Sequence, residues 1–133
     1  MKYLPLLGRI LFASIFLISV PGHFKAETAA WSALQGVPIA SFLVPFSGIL
    51  ELIGAISVLI GYKTTWGALL LVVFMIPVTF MLHAFWKITD PMQAQMGMVM
   101  FLKNISIIGA ALFIAYFGPG PFSVDNRTQK AAA

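Results

Sequence analysis

Four stretches of this chain are apolar for about twenty residues each, the length of helix needed to cross a bilayer core about 30 Å thick. They run from about Tyr3 to Val20, Phe42 to Gly61, Trp66 to Phe85 and Gly97 to Phe117. The breakers fall between them. Pro21-Gly22 closes the first stretch, Gly61-Tyr62-Lys63-Thr64-Thr65 links the second to the third, and Asp90-Pro91 precedes the fourth. Gly118-Pro119-Gly120-Pro121 stops the last helix, since proline cannot continue it and glycine favours exit. The pattern predicts an all-α, four-transmembrane-helix bundle forming a single membrane domain over residues 1–133, with a mobile polar tail from Ser123 to Ala133.

Composition excludes the other classes. Only 12 of 133 residues are charged, 8 Lys/Arg and 4 Asp/Glu, where a soluble domain of this length would carry roughly 33. A disordered chain would be poor in apolar residues, and 60% of this one is hydrophobic. The net charge of +4 comes from basic residues spread singly, with no cluster of the kind that binds nucleic acid. Without cysteine there is no disulfide, thiol relay or thiolate metal site.

Residues 1–26 have the outline of a cleaved signal peptide. Arg9 interrupts the apolar region, however, and no small-x-small cleavage site follows, so the first helix reads as a retained span. Loop basic residues set orientation. One side holds Lys2, Lys63, Arg127 and Lys130, the other Lys25 and Lys87, which favours cytoplasmic termini. The loop between the first two spans then faces outward, and Ala29 to Leu34 within it suits a short interfacial helix with Trp31 at headgroup depth.

Ionisable groups in hydrocarbon need partners or a polar cavity. The spans carry Arg9, Glu51, His83 and Lys103, the last beside Asn104. At 1.5 Å per residue, Arg9 lies roughly 16 Å, Glu51 roughly 13 Å and Lys103 roughly 9 Å from the outer face, with His83 close to it. All four are expected to meet in the outer half of one bundle, with Glu51 paired to Arg9, Lys103 or both. Two readings stay open: a structural lock between helices, or a polar pocket in which His83 changes charge near neutral pH. Thr79, His83 and Lys87 follow one helix face, and Pro77 frees a backbone carbonyl above them. His23 and Asp90 read as residues of the outer mouth.

Metal and haem fit poorly, because the two histidines sit on different segments and the Glu-x-x-His spacing of bundle metal sites is missing. Gly48, Gly54, Gly61, Ser106, Gly109, Ala110 and Ala111 supply surfaces for close helix packing. No Walker loop, dinucleotide fingerprint, nucleophile elbow or zincin motif occurs.

Several runs, taken in order, resemble the DoxX family of small four-helix membrane proteins: Leu7-Gly8-Arg9-Ile10-Leu11-Phe12 through Pro21-Gly22-His23-Phe24, Leu50-Glu51-Leu52-Ile53-Gly54, His83-Ala84-Phe85-Trp86, Phe101-Leu102-Lys103-Asn104-Ile105-Ser106, and Phe117-Gly118-Pro119-Gly120-Pro121. By that resemblance Arg9, His23, Glu51, His83, Lys103 and Asn104 fall on recurring polar positions. It implies a quinone-linked component of the bacterial inner membrane, an accessory subunit of an oxidoreductase working with a redox partner protein. His83 and Lys103 would then hydrogen-bond the quinone, Glu51 would tune the charge, and Trp86, Phe85 and Phe101 would line the pocket. The alternative is a non-enzymatic membrane scaffold or small-molecule permease whose buried charges lock the bundle, with transport requiring a homo-oligomer.

Overall fold

The computed structural model describes residues 1–132, with side chains except those of 129, 130 and 132. Ala133 and the side chain of Lys130, one of the basic residues used for orientation, lie outside that description. The described residues form helices and turns only: α1 (Leu4–Ser19), α2 (Ala26–Leu34), α3 (Ala40–Ile60), α4 (Thr64–Pro77), α5 (Pro91–Phe117) and α6 (Val124–Ala132). Four helical stretches are long and apolar enough to cross a bilayer: Leu4–Phe24, Ala40–Ile60, Thr64–Lys87 and Pro91–Phe117.

Local chemistry explains most of these boundaries. Asp90 caps α5 by accepting from the Gln93 amide at 2.8 Å, with Pro91 at the first helical position. The fourth span therefore starts six residues before the expected Gly97. Gly61 and Gly118, at φ +71° and +76°, end α3 and α5. Beyond Pro77 the third span widens into a π-helical turn over Val78–Leu82. There the Thr79 hydroxyl donates back to the Met75 carbonyl at 2.6 Å.

Two expectations are corrected. Pro21-Gly22 does not end the first span, because Val20–Phe24 continue it as a tight 3₁₀ turn, a geometry that accepts proline at its start. The tail is not a loose end. Phe122 turns the chain at φ +59°, and the Ser123 hydroxyl caps α6 by accepting from the Asn126 amide at 3.2 Å.

The spans pack side by side in the order α1, α3, α4, α5. Phe16, Ala55, Val58, Ala68, Leu71, Phe74 and Met75 form the buried core. Helices α3 and α4 approach closely at Gly54 and Gly67, where a Cβ on either residue would stand 3.1 or 3.2 Å from the other's carbonyl oxygen. Such close approach of small residues drives helix association in lipid, where hydrophobicity does not. Large apolar side chains such as Leu11, Ile18, Ile53, Val73 and Phe113 point outward. In water that surface would be an aggregation hazard, whereas lipid chains solvate it.

Candidate functional site

The site begins with one face of α3. Val44, Ser47, Gly48 and Glu51 recur at helical spacing and so share a stripe. Onto it drops His23 from the 3₁₀ turn at the end of the first span. Its Nδ1 lies 3.1 Å from Ser47 Oγ and 3.2 Å from the Val44 carbonyl oxygen. Its Nε2 lies 3.0 Å from Glu51 Oε2, an ion-pair distance, although no donor closes a well-formed hydrogen bond to that oxygen. Glu51 is 2% exposed, and its Oε1 accepts from the Ser19 hydroxyl.

Proton placement follows from these contacts. The Ser47 hydroxyl donates to the Val44 carbonyl at 2.7 Å, so both neighbours of Nδ1 present lone pairs and Nδ1 carries hydrogen. Nε2 faces Oε2 at 3.0 Å, where two bare lone pairs would repel, so the pair is assigned one further proton. Whichever atom keeps it, the pair has no net charge, and that is what lets a carboxylate sit this deep.

Glu51 and His23 form part of the wall of a cavity of about 160 Å³. Ser19 comes from α1, His83 from the chain just after the π turn, and Lys103 and Asn104 from α5. Phe16, Phe74, Met75 and Val78 make its apolar sides. His23, Glu51, His83, Lys103 and Asn104 are thus brought together. Lys103 makes no ion pair with Glu51; its Nζ lies 3.4 Å from Met100 Sδ. Among the described residues no three of His, Asp and Glu gather in a group able to hold a metal.

Arg9 and Trp86 are elsewhere. Ser19, ten residues beyond Arg9 and so roughly 15 Å further along α1, is the residue level with Glu51. The extension of the span to Phe24 rather than Val20 accounts for about 6 Å of that separation. Arg9 is buried near the opposite end of the bundle, donating from Nη2 to the Phe122 carbonyl at 2.7 Å and from Nη1 to the Leu59 carbonyl at 3.4 Å. Trp86 is half exposed, because the helix ends at Leu82 and a short turn swings the indole against Phe101, with ring centres 5.7 Å apart.

Asp125 completes the Arg9 region. Its carboxylate accepts from the Lys63 amide at 2.8 Å and from the Thr64 amide and hydroxyl at 3.0 and 2.9 Å, capping α4 from a remote part of the chain. Partial burial alone would raise the Asp125 pKa; the Thr64 and Lys63 hydrogen bonds and the Arg9 charge outweigh it and hold the pKa below its ordinary value. Sequence reasoning missed Asp125, Ser19 and Ser47. Spacing offered a signal for the serines, since Ser47 stands four residues before Glu51 and Ser19 four before His23.

The chain is similar to two inner membrane proteins of Escherichia coli K12. It is 26% identical to YqjF over 94% of this chain and 92% of that one, and 30% identical to YphA over 92% and 88%. It is also 29% identical to the Surfeit locus protein 4 homolog of Drosophila melanogaster, over 97% of this chain but 42% of that protein's length. No solved structure matches it. These findings overturn the DoxX resemblance and the quinone-linked redox role drawn from it, which rested on short apolar runs with single polar residues. The chain is a multi-pass integral membrane protein. The profile of the SURF4 family matches residues 32–131, a stretch holding Glu51, His83, Lys103, Asn104 and Asp125, and the chain belongs to that family.

Proposed function

We propose that this chain is a non-enzymatic protein of the inner membrane whose four-helix bundle binds a small polar solute, entering from the end opposite the termini, as a binding scaffold or permease does. One observation carries this reading: the polar groups surround a cavity of about 160 Å³ instead of filling it. In a pure lock the polar groups would be hydrogen-bonded to one another, whereas Lys103 meets only the Met100 thioether. Beneath Glu51 the core residues Ala55, Val58 and Leu71 fill the bundle. A single copy therefore offers a site without a through path, and passage across the bilayer would call on a second copy. The similarity to two inner membrane proteins supports the location.

The test uses the purified protein in detergent, melted with and without millimolar acetate, acetamide, glycerol or ethylamine. Binding to the folded state raises the melting temperature as the solute exceeds its dissociation constant. At least one of these solutes is expected to do so for the wild type, and to do so less for Lys103→Met at the same concentration. If none shifts the wild type, the buried charges are a lock and the binding reading fails.

A further inference from the structure

We infer that the solute is a small monovalent anion, held by the Lys103 ammonium and the Asn104 amide. This rests on the binding reading above. It follows from a charge count over the groups that face the cavity from each helix: His23 from the first span, Glu51 from α3, His83 from the end of the third span, and Lys103 from α5.

Glu51 is already engaged, with Ser19 on one oxygen and His23 at 3.0 Å from the other. The Glu51–His23 pair is neutral as a unit. Lys103, exposed at the rim of the cavity, is left as the cation without a carboxylate partner, its Nζ facing a thioether at 3.4 Å, a weak acceptor. It stands twelve residues into α5, a helix of 27 residues. With that helix centred on the bilayer, the Cα lies roughly 13 Å inside the hydrocarbon. An ammonium at that depth needs an anion or water beside it. Asn104, 5% exposed on the same wall, makes no hydrogen bond among the described residues, so its amide N–H groups are free to donate.

Size and surroundings narrow the ligand further. About 160 Å³ equals the liquid volume of roughly five waters, room for an anion of a few heavy atoms such as formate, acetate or chloride. The apolar walls of Phe16, Phe74 and Met75 lower the local dielectric and strengthen an ammonium–anion contact. A cationic solute would meet Lys103 with no unengaged carboxylate to offset it.

The experiment melts the full-length protein in chloride-free buffer against rising acetate, with acetamide as the uncharged match. Acetate is expected to raise the melting temperature and acetamide to leave it unchanged. Lys103→Met should increase the half-saturating acetate concentration about tenfold or more, as the loss of a charged hydrogen bond implies, while Lys103→Arg keeps the response. Asn104→Asp, which supplies Lys103 with a carboxylate of its own, should abolish the response; it keeps the proposal testable if Lys103→Met does not fold. Equal protection by acetate and acetamide overturns the anion assignment and leaves solute binding standing. No protection by either, or undiminished acetate protection in Asn104→Asp, also overturns it.

Discussion

His23 lies directly on the bare Cα of Gly48, where a methyl group would stand 2.6 Å from the histidine Cβ. That missing side chain lets the 3₁₀ turn settle on α3 closely enough for the imidazole to reach Glu51, one helical turn further on. Gly48→Ala should therefore push His23 away and cost about 1–3 kcal/mol, as overpacking does. Thermal unfolding of Gly48→Ala, His23→Ala and the double variant in detergent checks this. If the glycine acts through the histidine, the two losses will be strongly non-additive.

Glu51 and His23 should also be unequal to the sum of their separate losses. Glu51→Leu strands a partly buried imidazole that has lost its acidic partner, and breaking a fully buried pair from one side costs about 3–5 kcal/mol, an upper bound here. Replacing both by leucine removes both desolvation penalties. The double variant is expected to melt well above Glu51→Leu, and a double variant that melts below it would show that the pair is needed for more than its own neutralisation.

Asp125 makes a pH-dependent contribution of predictable sign. Its folded-state pKa lies below the ordinary aspartate value, which is about 3.9 when unfolded. Its stabilisation is thus fully present above the unfolded value and is lost as pH falls through the lower folded value. Asp125→Ala should cost about 1 kcal/mol at neutral pH, the worth of a helix cap. Asp125→Asn should flatten the acid side of a melting-temperature profile, and an unchanged slope would mean that the carboxylate does not anchor α6 to α4.

Some of this arrangement is legible in the amino-acid sequence alone, for physical reasons. An ionisable residue in an apolar run stands out because lipid penalises it, and Glu51, His83 and Lys103 announce themselves that way. Ser19 and Ser47 do not, since a serine in an apolar helix can satisfy its hydroxyl on the preceding turn, as Ser47 does here. Reading Pro21-Gly22 as a stop leaves His23 in a loop and shortens the first span by four residues, roughly 6 Å. That shift covers part of the distance between Arg9, which belongs with Phe122, and the level of Glu51. Asp125 hides in a polar tail whose composition resembles that of a solvated end, because a cap supplied across the fold leaves no local pattern.

Gly61 gives the clearest test of the Arg9 region, because Gly36 provides its control. Both have left-handed backbones, at φ +71° and +92°. An alanine at either pays the strain of that conformation, about 1–2 kcal/mol. Around Gly36 a Cβ would meet nothing within 4 Å, whereas at Gly61 it would collide with Arg9 Nη1 and with Ser123. Gly61→Ala should therefore lose at least about twice what Gly36→Ala loses, since it also displaces a buried guanidinium from the two carbonyls it donates to. It should also loosen α6, whose Asp125 amide donates to the Gly61 carbonyl at 2.8 Å. Faster hydrogen exchange at the Thr64 and Asp125 amides in Gly61→Ala, and not in Gly36→Ala, is the expected signature. Equal losses in the two variants would reduce Gly61 to a helix end and detach Arg9 from the anchoring of the tail.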